Sequence, residues 1–196
     1  MPLALAMGML SAAQDAIGNG GISSGGRNRK ETQDKASERV VNVMRFVIQR
    51  VTEASCTVDG RVTGAISNGF MVLIGVSDED TEETADQMVK KMVGLRIFQD
   101  EAGKTNLALK DVGGALLLIS QFTLYADCRK GNRPSFVHAG KPEHAERLYE
   151  YIIRRCEEAM PDSEIGRGIF GADMKISLVN DGPFTVILDS EALARK

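Results

Sequence analysis

Pro183 sits inside the last apolar run of this 196-residue chain, and it narrows the possible fold more than any other residue. The run reads MKISLV from Met174, passes through NDGP, and resumes as FTVILD up to Asp189. Proline has no amide hydrogen to donate to a ladder, so interior strands exclude it. A strand that carries Gly182-Pro183 must lie at a sheet edge or be broken by a bulge there.

The rest of the sheet is read from periodicity. MRFVIQRV from Met44 and ASCTV from Ala54 alternate or run apolar with β-branched residues, and Asp59-Gly60 stands where a two-residue hairpin turn needs positive φ. GFMVLIGV, from Gly69, and ALLLIS, from Ala115 to Ser120, are short continuous apolar runs of the kind that form strands buried on both faces. Ala85, Met88, Val89, Met92 and Val93 recur at helical spacing behind the acidic stretch Asp78 to Glu83, which suits a helix N-terminus. A second helix starts near Pro142 and ends before Pro161, with Ala145, Leu148, Tyr149, Ile152 and Cys156 inward. MKISLV and FTVILD close the sheet. These elements predict a single α/β domain over residues 44–196, a mixed and partly closed β-sheet with two main helices.

Residues 1–43 differ in character. They combine an apolar start with GNGGISSGG and a mixed-charge stretch, and Asp15, Glu31, Asp34 and Glu38 count against a transit peptide. We read them as a flexible N-terminal extension or leader. Five of the 24 basic and four of the 27 acidic residues lie there, so the domain keeps 19 and 23 and a formal net charge of −4. That balance argues against broad wrapping of RNA and leaves room only for local phosphate contacts. Three widely spaced cysteines suggest neither a disulfide framework nor a zinc site, and fit a reducing compartment. With His138 and His144 the only histidines, little material remains for a histidine metal site or a conventional triad.

Three stretches carry candidate chemistry. SQFTLYAD, Ser120 to Asp127, lies at the exit of a buried strand, where α/β proteins collect functional groups. Ser120 or Thr123 could act as a nucleophile or as a hydrogen-bonding group, and with no adjacent base in the sequence hydrogen bonding is favoured. Arg129, Lys130 and Arg133 could meet phosphates or simply form a solvated loop. The Gly-Pro pair is the third.

QRV at Gln49 to Val51, SQFTL at Ser120 to Leu124, RPSF at Arg133 to Phe136, GADM at Gly171 to Met174 and NDGPFT at Asn180 to Thr185 follow in order. Together they resemble the D-aminoacyl-tRNA deacylase (D-tyrosyl-tRNA deacylase) family, from Met44 to about Ser190. The resemblance implies a homodimer in which a cis Gly182-Pro183 peptide projects into the partner's active site and sorts substrates by chirality. Only an X-Pro bond reaches the cis form cheaply, at about 0.5–1 kcal/mol, and glycine leaves no side chain in the way. It further implies that Ser120, Gln121, Phe122 and Thr123 line the pocket, that Arg50 braces the Gly-Pro element, and that Phe170 and Met174 belong to the adenosine region. The implied reaction is cytoplasmic hydrolysis of D-aminoacyl-tRNA, and of mischarged glycyl-tRNA, at the tRNA 3′ end, helped by the terminal 2′-hydroxyl and a positioned water. No metal, cofactor or membrane is implied. Arg167 departs from the family, which often has threonine before the glycine preceding GADM. The alternatives are a non-catalytic RNA 3′-end or nucleotide-binding protein on the same fold, and an esterase with Thr123 or Ser120 as nucleophile.

Overall fold

The computed structural model describes residues 43–194; the extension assigned to residues 1–43 lies, save its last residue, outside them. Strand β1 (Arg45–Val58) is the hub of the sheet. One of its edges pairs antiparallel with β3 (Gly69–Gly75) and then with β2 (Arg61–Ile66), and the other pairs antiparallel with β8 (Met174–Asp189). Beyond β3 the sheet continues in parallel through β6 (Ala115–Ser120) to the short β7 (Ile165–Arg167). The β1–β2 turn uses Asp59 at φ 49° and Gly60 at φ 75°, the doubly positive conformation that asparagine, aspartate and glycine favour in tight hairpins.

The sheet is nearly closed. A Cβ added to Gly64 in β2 would stand 2.5 Å from the amide nitrogen and 2.8 Å from the carbonyl oxygen of Arg167 in β7. The two outermost strands of the path therefore abut, and only a residue without a side chain fits at that point.

Two apolar clusters follow from this curl. Phe46, Ile48, Phe70, Val72, Leu116 and Leu118 face the helices, whereas Val51, Cys56, Met71, Leu117 and Ile119 fill the inside. Alternate residues of ALLLIS serve opposite clusters, which is the reason that run is apolar throughout. The helix layer consists of α1 (Glu82–Val93) and α2 (Pro142–Ala159), with the five-residue α3 (Ser190–Ala194) near the end of the chain. Thr81 caps α1 in a reciprocal box with Thr84, and Glu82 and Glu83 follow in its first turn. The acidic stretch predicted to open this helix is therefore split. Asp80 precedes the cap, buried, and its carboxylate accepts from the amides of Ser77 (2.7 Å) and Met44 (2.8 Å). Burial pushes that carboxyl above its ordinary pKa despite those bonds.

Some elements were not read from sequence. The hairpin β4 (Arg96–Gln99) and β5 (Thr105–Ala108) stands apart as a two-stranded sheet, and β7 is only three residues long. MKISLV and FTVILD, read as two strands, form one 16-residue strand with a local excursion at the Gly-Pro pair.

Candidate active site

The parallel strands β3, β6 and β7 end at the same side of the sheet, and the SQFTL segment begins there. Ser120 closes β6, and the amide of Gln121 donates to the Ile74 carbonyl of β3 at 2.8 Å. Gln121 is non-helical, at φ −147° and ψ 86°, and a single 3-10 turn follows over Phe122–Tyr125. The amides of Phe122 and Thr123 open that turn and, among the described residues, bond no main-chain carbonyl. Among the described residues no imidazole, amine or carboxylate bonds the hydroxyl of Ser120 or Thr123; the Thr123 hydroxyl instead accepts from Gln121 Nε2 at 2.5 Å. The site thus presents main-chain donors more readily than an activated nucleophile.

RPSF lies against this turn. The rings of Phe122 and Phe136 meet edge to face with centroids 5.1 Å apart, and Asp127 and Ser135 exchange backbone bonds of 2.8 and 3.0 Å. In the basic loop, Arg129 forks onto Asp127 (2.9 and 2.7 Å) and holds that carboxyl well below the usual carboxylate range. Lys130 and Arg133 stand exposed in the same loop.

The segment after β7 packs beside β6. The Gly168 amide donates to the Leu118 carbonyl at 2.9 Å, and a Cβ on Gly168 would come within 2.5 Å of Met174 Sδ and 3.2 Å of Ile119 Cδ1. Phe170 lies 6.1 Å, centroid to centroid, from Tyr149, whose hydroxyl donates to the Leu118 carbonyl at 2.8 Å. Phe170 packs against the helix-side cluster and Met174 against the inner one, each half-buried, so both contribute to packing whatever else they do. Arg167 turns toward the helix layer, where it pairs with Glu150 and lies 6.0 Å from the Tyr149 ring.

The Gly-Pro element lies elsewhere. Gln49 pairs with Thr185 and Val51 with Asn180, so the four residues 181–184 bulge out opposite Arg50 alone. Within this excursion the Gly182-Pro183 peptide is cis, and both residues are exposed. Arg50 is buried beneath it. Its Nη1 donates to the Ile97 carbonyl at 2.5 Å, and its guanidinium carbon lies 4.8 Å from the Phe184 ring centre. Its Nε stands 3.0 Å from Asp181 Oδ2, an ion pair at contact distance that lacks hydrogen-bond alignment. A Cβ on Gly182 would meet Arg50 Nη2 at 3.1 Å.

Phe170 and Met174 lie beside Leu118 and Ile119, the β6 residues that lead into Ser120, and Gly182 lies against Arg50, but the Gly-Pro element and the SQFTL turn stand apart. The SQFTL turn docks at Ile74, which pairs with Phe46, four residues along β1 from Arg50. At strand rise that is roughly 13 Å. Sequence reasoning singled out QRV and NDGPFT without seeing that Gln49 and Asn180 bond each other. That contact depends on the pairing register and leaves no local signal.

Among the described residues no group of three or more His, Cys, Asp or Glu side chains is placed to hold a metal, and no helix is long and apolar enough to cross a membrane. The fold is a mixed α/β domain with a nearly closed sheet, and its candidate site is a main-chain turn at the end of the parallel strands. The family follows from comparison: the family model described as D-Tyr-tRNA(Tyr) deacylase matches residues 47–189, and the chain belongs to that family. It is 53% identical over 148 residues to the D-aminoacyl-tRNA deacylase of Clostridium novyi (strain NT), covering 76% of this chain and 98% of that one. It is 54% identical over 147 residues to the enzyme of the same description from Thermus aquaticus, covering 75% and 95%. A solved structure described as c-Myc DNA unwinding element binding protein superposes with a TM-score of 0.69 at 41% identity, covering 74% of this chain and 97% of that one. A second, described as a probable eukaryotic D-amino acid tRNA deacylase, gives 0.67 at 16% identity, covering 75% and 99%, a likeness of fold alone.

Proposed function

We propose that the protein hydrolyses the ester of D-aminoacyl-tRNA, and of mischarged glycyl-tRNA, and rejects L-aminoacyl-tRNA. The observation that carries the chemistry is the pair of amides, Phe122 and Thr123, that bond no carbonyl among the described residues and stand at the end of a buried strand. Main-chain donors aimed at one point stabilise the oxyanion of a tetrahedral intermediate, and an aminoacyl ester is already activated. The terminal 2′-hydroxyl of the substrate takes the proton of the attacking water as it passes its own to the ester's leaving 3′-oxygen, so no side chain need change its protonation state. Phe170 and Met174 flank the terminal adenosine, and Lys130 and Arg133 meet nearby phosphates of the 3′ end.

Stereochemical sorting falls to Gly182 and Pro183. Their distance from the SQFTL turn within one chain supports a two-fold homodimer in which each excursion enters the partner's pocket. The outer edge of β8, which among the described residues pairs only with β1, offers the surface for that association. We place the reaction in the cytoplasm, which the free Cys56, Cys128 and Cys156 suit.

The nucleic-acid-binding alternative gains weight from the neighbour whose description names DNA binding. Deacylation kinetics with D-, L- and glycyl-tRNA separate the readings. The enzyme turns over the first and third, spares the second, and is nearly inert on D-aminoacyl-tRNA lacking the terminal 2′-hydroxyl, while light scattering reports twice the chain mass. A binder shows no turnover, and an acyl-enzyme in mass spectra would restore Thr123 or Ser120 as nucleophile.

A further inference from the structure

The excursion over residues 181–184 is tied at both feet by a side chain to which the mechanism above gives no task. Asn180 is the last paired residue before it and Thr185 the first after it. The Phe184 amide donates to Asn180 Oδ1 at 2.7 Å. A main-chain amide only donates, so this bond orients the Asn180 carboxamide and turns its Nδ2 toward β1. There it meets Gln49, which must present its oxygen. Gln49 Oε1 accepts from Asn180 Nδ2 and, at 2.5 Å, from Thr185 Oγ1. One half-buried amide oxygen on β1 therefore holds both ends of the excursion, while Arg50, the next residue and on the opposite face of the strand, grips its middle.

We propose that Gln49 is a positioning residue for stereochemical discrimination: through Asn180 and Thr185 it sets the pose in which the Gly182-Pro183 backbone meets the α-carbon of the substrate. The inference rests on the filter reading above and deepens it. A backbone filter works only while it is rigid, because an L-side chain is excluded by atoms that cannot move aside. Freeing both feet on one side lets the projection tilt about Arg50. The consequence falls on the ratio of D- to L-turnover rather than on fold stability or the amides of the other pocket wall.

Gln49→Leu keeps the shape and deletes the shared acceptor, whereas Gln49→Glu keeps the acceptor. In D- and L-aminoacyl-tRNA deacylation, Gln49→Leu is expected to lower the D/L ratio by about tenfold, the scale of two lost hydrogen bonds, and Gln49→Glu to restore most of it. Thr185→Val, an exposed change removing one of the two donors, is expected to move the ratio in the same direction by less, and it decides the matter if Gln49→Leu fails to fold. Gly182→Ala serves as the independent probe of the filter itself, since its Cβ would enter the space before Arg50. If Gly182→Ala shifts the ratio and neither Gln49→Leu nor Thr185→Val does, the positioning role is wrong and the filter stands. An unshifted ratio in Gly182→Ala removes the filter and the positioning role together. A fall in melting temperature with an unaltered ratio would make Gln49 structural only and overturn the proposal.

Discussion

The amide of Phe122 is the smallest unit on which the proposed chemistry depends, and a proline can delete it. Gln121 lies outside the helical region that a following proline disfavours, and position 122 opens a helical turn, where proline's fixed φ is accepted. Phe122→Pro therefore removes one donor with little disturbance of the backbone, and Phe122→Ala removes the same ring, with its edge contact to Phe136, while keeping the donor. Loss of an oxyanion donor typically lowers kcat by about 10²–10³-fold, so the two variants are expected to differ by about that factor in single-turnover deacylation. Equal rates would show that the Phe122 amide does not face the reacting carbonyl. The hydroxyls nearby are a weaker clue than their appearance in SQFTL suggests. Thr123 is engaged with Gln121, and no base touches it among the described residues.

At the scale of elements, the helices follow their sequence closely and the sheet does so only in part. Thr81, Glu82 and Glu83 start α1 and Pro142 starts α2 by local capping and dipole effects, which neighbours in sequence supply. The three residues of β7, by contrast, carry no period long enough to read, and they are a strand because Leu116 to Leu118 lie beside them. The seam that closes the sheet belongs to the same class. Gly64 meets the main chain of Arg167, and backbone cannot swing aside as a flexible side chain does. Gly64→Ala is expected to destabilise the fold by about 1–3 kcal/mol in urea denaturation, the usual cost of overpacking. An unchanged midpoint would mean that β2 and β7 do not approach so closely.

For the whole molecule, the boundary of the working domain is the first question. Val43 and Met44 are already buried, with the Val43 carbonyl accepting from the Tyr125 hydroxyl at 2.7 Å and the Met44 amide donating to Asp80. A chain starting at Val43 is expected to match the full chain in melting temperature and in deacylation rate, measured side by side. A large loss of either would assign residues 1–42 a part in the fold or the site. What the sequence determined by itself is now visible in particular residues. The double burial of ALLLIS, the turn at Asp59-Gly60 and the inward faces of both helices are set by neighbours a few positions apart, so periodicity and turn chemistry record them. The motifs also marked SQFTL and NDGPFT, through resemblance rather than through physics alone. The tertiary structure alone decided that MKISLV and FTVILD are one strand, that Gln49 bonds Asn180, and that the Gly-Pro excursion stands far from the SQFTL turn of its own chain. Those facts depend on which backbones lie side by side and in what register, and a register joins residues more than a hundred positions apart that share no local pattern.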